Sequence, residues 1–76
     1  MPHVIVKMYA GRSEQQKNKL AEEITRAVMT TLNQDEDAVS VGIEDIEPKD
    51  WTEKVYKADI LGKPDTIYKK PGYNPL

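Results

Sequence analysis

The chain has 76 residues and room for a single domain over residues 1–76; a domain of this size buries only roughly 60% of its unfolded surface, so self-association is expected. Its 11 basic and 13 acidic residues give a net charge of −2, with lysines interleaved with glutamates and only Lys69-Lys70 as a tight basic pair, so nothing points to nucleic acid. Cysteine is absent and histidine occurs once, which excludes disulfides, thiolate nucleophiles and cysteine-based zinc sites and leaves a metal site unsupported.

His3 to Tyr9 reads His-Val-Ile-Val-Lys-Met-Tyr, rich in β-branched residues, with Val4, Val6 and Met8 on one face and His3, Ile5, Lys7 and Tyr9 on the other. This predicts a first strand, broken at Gly11. Ser13-Glu14-Gln15-Gln16 then fits a capping box, with the Ser13 hydroxyl accepting from the Gln16 amide and the Gln16 side chain reaching back, so a helix should start at Ser13. Leu20, Ile24, Ala27, Val28, Thr31 and Leu32 recur at three- and four-residue steps and give it one buried face, ending near Asn33.

After the polar loop Gln34 to Asp37, the segment Val39 to Ile46 alternates apolar with small or polar residues through Ile43, as a half-buried strand does. Strand, long helix and strand make a βαβ unit over about residues 2–46, an α/β fold whose crossover makes the strands parallel. Two strands with one covering helix leave apolar surface exposed, and oligomerisation is expected to complete the sheet. From residue 47 to 76 the pattern loosens: Trp51, Val55, Tyr56, Ile60 and Leu61 suit a short helix or loop, followed by turns at Gly62-Lys63-Pro64-Asp65 and Pro71-Gly72. This tail is expected at the subunit interface. No apolar run approaches a membrane span and the start of the chain lacks a basic region followed by an apolar one, so a cytoplasmic location is expected.

Initiator methionine is usually excised before proline, which would make Pro2 a terminal secondary amine. The α-amino class titrates near pH ~7.7–8.0, and burial or a nearby guanidinium would lower that further towards the range where a general acid–base catalyst works best. Taken alone, Pro2 reads far more readily as the start of an edge strand. Its combination with a strand, Gly11-Arg12-Ser13, a capped helix, a second strand and Trp51 just beyond is more specific. Over about the first fifty residues the chain resembles the 4-oxalocrotonate tautomerase family, with Gly11-Arg12-Ser13-Glu14-Gln15-Gln16-Lys17 similar to the family's GRS-x-x-QK helix start.

The resemblance implies Pro2 as proton carrier, Arg12 as binder of a substrate carboxylate or carbonyl, and Trp51 as an apolar pocket wall, with no cofactor. Arg12 also reads as a solvated loop residue, although a cation just before a helix N-terminus gains nothing from the helix dipole. Trp51 also reads as a core or interface anchor. The family's hexameric members carry a second arginine where this chain has Ser40; a dicarboxylate would lose one charge-assisted clamp, which favours a monocarboxylate 2-oxo acid of phenylpyruvate type. The ending Tyr68-Lys69-Lys70-Pro71-Gly72-Tyr73 is similar to that of a longer-tailed bacterial subgroup described as dimers, which implies a homodimer rather than a hexamer. His3 should face away from Pro2 and receives no role, and no serine–histidine–acid triad is suggested. Keto–enol tautomerisation is thus the leading expectation, against a hydratase or dehalogenase on the same scaffold and a non-enzymatic small-molecule-binding or interaction dimer.

Overall fold

A computed structural model describes residues 1–76. Its strands are β1 (His3–Tyr9) and β2 (Ser40–Ile46), joined by the helix α1 (Glu14–Leu32). The strands are parallel, with His3 opposite Ser40 and Tyr9 opposite Ile46. The ladder extends one bond past each end: the Ser40 amide donates to the Pro2 carbonyl at 3.2 Å, and the Ala10 amide to the Ile46 carbonyl at 3.0 Å. The expected βαβ unit is therefore present.

The capping box forms as the sequence dictates. The Gln16 amide donates to Ser13 Oγ at 3.1 Å and the Ser13 amide to Gln16 Oε1 at 3.0 Å, satisfying two donors that the first helical turn otherwise leaves open. Asn33 closes the helix in the left-handed conformation, with φ 55°, its amide donating to the Met29 carbonyl. β2 begins at Ser40 and not at Val39, because the short 3₁₀ turn Glu36–Ala38 takes up the Val39 amide through the Glu36 carbonyl at 3.0 Å. Ser40 is the first residue whose amide is free to join the ladder.

Alternation fixes what each face of the sheet meets. Val4, Val6 and Met8 lie with Val41, Ile43 and Asp45 on the side covered by α1, where Lys17 reaches Asp45 at 2.6 Å and Glu14 at 3.1 Å. These hydrogen bonds, to Asp45 foremost, push the Lys17 ammonium above its ordinary range. His3, Ile5, Lys7 and Tyr9 lie with Ser40, Gly42, Glu44 and Ile46 on the other side. The tail crosses that second face at one end only: Lys7 pairs with Asp59 and Tyr9 meets Trp51.

Beyond a 3₁₀ turn at Pro48–Asp50, residues Thr52–Leu61 form a π-helix. Trp51, Tyr56 and Leu61 stand five residues apart, as do Val55 and Ile60, which matches the i→i+5 repeat of that helix where a 3.6-residue period finds no regular face. Gly62 ends it under steric compulsion, since a Cβ there would lie 2.5 Å from the Ala58 carbonyl oxygen. Val55 and Tyr56 are the only two buried residues, at 5% and 7% exposure, and both belong to this tail. Large apolar side chains stay open elsewhere, with Ile5 54% and Leu32 55% exposed. No helix is long and apolar enough to cross a membrane.

Candidate active site

Pro2 sits immediately before β1, half-buried, its carbonyl held by the Ser40 amide. Met1, which acylates its nitrogen, is 95% exposed, so removing it would disturb no packing. His3 turns to the opposite face, where its Nδ1 and Ser40 Oγ are hydrogen-bonded at 2.7 Å. Ser40, where the resemblance would place a second arginine, is thus engaged with a neighbouring side chain on the face away from α1.

Arg12 lies past the other end of β1, in the turn that Gly11 permits by taking φ 120°, a value open to glycine and strained for other residues. Its guanidinium is exposed and forms neither an ion pair nor a side-chain hydrogen bond, whereas Arg26, the chain's other arginine, is paired with Glu23 at 2.5 Å. Arg12 is the arginine available to an anion.

Trp51 stands at the same end of the sheet. Its ring meets Tyr9 edge-on, with centroids 5.2 Å apart and planes at 81°, and its Nε1–H donates to the Tyr73 hydroxyl at 2.8 Å. Tyr9, Trp51 and Tyr73 line an open cavity of about 220 Å³ between them. The larger cavity of about 760 Å³ is a broad groove between α1 and β2, lined among others by Glu22, Arg26 and Val41; it contains none of the three predicted site residues. The aromatic cavity, though smaller, is the one that includes a predicted site residue, Trp51.

The fold thus brings Arg12 and Trp51 to one end of β1 and leaves Pro2 at the other. Seven residues of extended strand separate them, roughly 23 Å at the usual rise per residue. No single chain assembles all three. Sequence reasoning also missed Tyr73 and Tyr9 as neighbours of Trp51: Tyr9 reads as one more strand residue, and Tyr73 follows a Pro-Gly turn that says nothing of where the chain goes next.

The family model described as tautomerase enzyme matches residues 2–55, most of the chain and all of the βαβ unit. The chain belongs to the tautomerase family. It is an isomerase with tautomerase activity, similar over its full length to the "Probable tautomerase" of Xylella fastidiosa, with 42% identity over 76 residues, 100% of this chain and 93% of that protein. Tautomerase PptA of Cronobacter sakazakii is 35% identical over 74 residues, covering 96% of this tautomerase and 97% of the relative. Among solved structures, TomN, a 4-oxalocrotonate tautomerase homologue of the tomaymycin biosynthetic pathway, superposes with a TM-score of 0.65 at 36% identity, covering 66% of this chain and 77% of TomN. SAR1376 of Staphylococcus aureus, described as a putative 4-oxalocrotonate tautomerase, gives a TM-score of 0.61 at 40% identity over 62% of this chain and 76% of its own. The family model stops at residue 55, whereas the curated relatives extend through the tail that carries Tyr73.

Proposed function

We propose that this tautomerase interconverts the enol and keto forms of a small monocarboxylate 2-oxo acid of phenylpyruvate type, with the amine of Pro2, freed by loss of Met1, as the proton carrier. The observation that carries this reading is the setting of Pro2: pinned by its carbonyl to β2 at the head of a strand, beside a Met1 that is 95% exposed to solvent. Neutral Pro2 takes the proton from the enol hydroxyl, the C=C electrons pick up a proton at carbon from the resulting prolinium, and the amine is neutral again. Arg12 holds the carboxylate and steadies the negative charge that develops on the enolate.

Because Pro2 and Arg12 lie at opposite ends of β1, the working site is formed between two chains. Two β1 edges pairing antiparallel about a twofold axis would set Pro2 of one subunit beside the β1 end of the other, and so beside its Arg12 and Trp51. The tail supports a dimer over a stack of dimers, since Lys7–Asp59 and Tyr9–Trp51 already occupy one end of the face that stacking would need.

The test is the ketonisation of phenylenolpyruvate, followed by absorbance, with protein whose Met1 loss is verified by mass. Pro2→Gly is expected to lower kcat by about a hundredfold or more, the usual contribution of a positioned acid–base group. Equal rates for wild type and Pro2→Gly would remove the proline mechanism.

A further inference from the structure

The rings of Tyr9, Trp51 and Tyr73 make a cavity that the tautomerase matched region, ending at residue 55, contains only in part. Its third wall, Tyr73, lies beyond that region. We propose that Tyr73 is a specificity-determining residue that fixes the Trp51 indole and completes a pocket for the aromatic ring of the substrate; this rests on the tautomerase reading given above.

The geometry supplies each step. The Trp51 indole N–H finds its only protein acceptor in the Tyr73 hydroxyl, 22 residues away in sequence at 2.8 Å. Tyr73 is itself braced by Tyr56, with ring centroids 5.7 Å apart, and Tyr56 is one of the two buried residues of the chain. Orientation therefore passes from the buried Tyr56 through Tyr73 to Trp51, which is further held edge-on by Tyr9 at 5.2 Å. A tryptophan without that acceptor would turn among its rotamers, and the flat wall would be lost.

The pocket's size and chemistry define what it takes. At about 220 Å³ it is smaller than a site enclosing a whole ligand, typically ~300–1,000 Å³, and so suits a substituent. It contains no charged side chain, and its indole N–H is taken up by the Tyr73 oxygen at 2.8 Å, which leaves the Tyr9 and Tyr73 hydroxyls as its free polar groups. A second carboxylate would meet no cation there, whereas a phenyl group gains edge-to-face and stacked contacts with three rings. Arg12, at the same end of the sheet, is placed to take the single carboxylate.

Trp51 is the only tryptophan of the chain, so its emission reports on this pocket alone. The experiment compares wild type, Tyr73→Phe and Tyr73→Ala, all lacking Met1, on phenylenolpyruvate and on enolpyruvate, which has no ring. In parallel, Trp51 emission is titrated with phenylpyruvate and with pyruvate. Tyr73→Ala is expected to lower the ratio of kcat/KM for the aryl over the methyl substrate by about three- to tenfold, through KM and not kcat, as the loss of an aromatic contact predicts. Tyr73→Phe keeps the ring and loses the indole acceptor, and should fall between. Phenylpyruvate should change Trp51 emission in wild type, with a weaker apparent Kd in Tyr73→Ala. An unchanged ratio in both variants, or emission indifferent to phenylpyruvate, overturns the proposal. Should Tyr73→Ala detach the tail, the ratio for Tyr73→Phe and the wild-type titration decide. Inactivity of wild type on both enols with a Tyr73-dependent emission change would refute the Pro2 mechanism and uphold the ring pocket.

Discussion

If Pro2 and Arg12 act across a subunit boundary, two inactive variants should restore one another. In Pro2→Gly every site has lost its amine, and in Arg12→Ala every site has lost its guanidinium; each alone should retain on the order of 1% or less of wild-type turnover. In a mixed twofold dimer one site inherits both lesions and the other inherits neither, because β1 holds the two residues of one chain about 23 Å apart and only the partner's Arg12 can serve a given Pro2. Equal mixing makes half of the dimers mixed, each with one intact site of two, so recovered activity should approach about a quarter of wild type. The assay is phenylenolpyruvate ketonisation after co-refolding or co-expression of the two variants, with each variant refolded alone as the baseline. If both residues served the same site from one chain, no mixed dimer would contain an intact pair. Recovery no greater than the sum of the two baselines would refute the division of the site.

Two further outcomes follow from named contacts. Ser13→Ala removes the hydroxyl that caps the Gln16 amide at 3.1 Å, and should cost about 1 kcal/mol, read in thermal circular dichroism as a fall of roughly 4–8 °C in Tm for a domain of this size. The Lys7 ammonium, chiefly by its hydrogen bond, holds the Asp59 carboxyl below its ordinary range. Its contribution is therefore complete above the unfolded value, near pH ~4, and is lost as pH falls through the lower folded value. Asp59 in turn raises Lys7, whose contribution is complete below pH ~10.4 and fades as pH rises through the higher folded value. Trp51 emission against pH should show an acid release of the tail that Asp59→Asn abolishes; an identical acid limb in that variant would separate the tail from this pair.

The elements with regular periods were legible in the sequence because one local signal settled each. Alternation marked His3 to Tyr9, Ser13 and Gln16 marked the helix start, and the stripe from Leu20 to Leu32 marked its length. The one-residue difference at β2 traces to a local competitor, the 3₁₀ turn that claims the Val39 amide. The tail resisted reading for a different reason: its apolar residues repeat at five, which no helical or strand template of 3.6 or 2 detects, and its partners are distant, Asp59 for Lys7 and Tyr73 for Trp51. For the site, residue types were readable and positions were not. Pro2, Arg12 and Trp51 follow from the tautomerase likeness, and the predicted strand already sets Pro2 and Arg12 at its opposite ends, but only the structure shows that Trp51 returns to the Arg12 end, against Tyr9.

That separation and the thin core have a common origin. A chain whose only buried residues are Val55 and Tyr56, and which leaves Ile5 and Leu32 more than half exposed, has little apolar burial with which to offset the entropy of ordering 76 residues. The unpaired outer edge of β1 is where a second copy would add both backbone hydrogen bonds and buried surface. In the proposed dimer the same pairing supplies what the site lacks, since an antiparallel neighbour carries its Arg12 and its three-ring cavity to the end where Pro2 begins. Stability and catalysis then depend on one interface. Under that arrangement a small chain can hold a proton carrier at one end of a strand and its anion and ring contacts at the other, each on rigid backbone, without enclosing a pocket by itself.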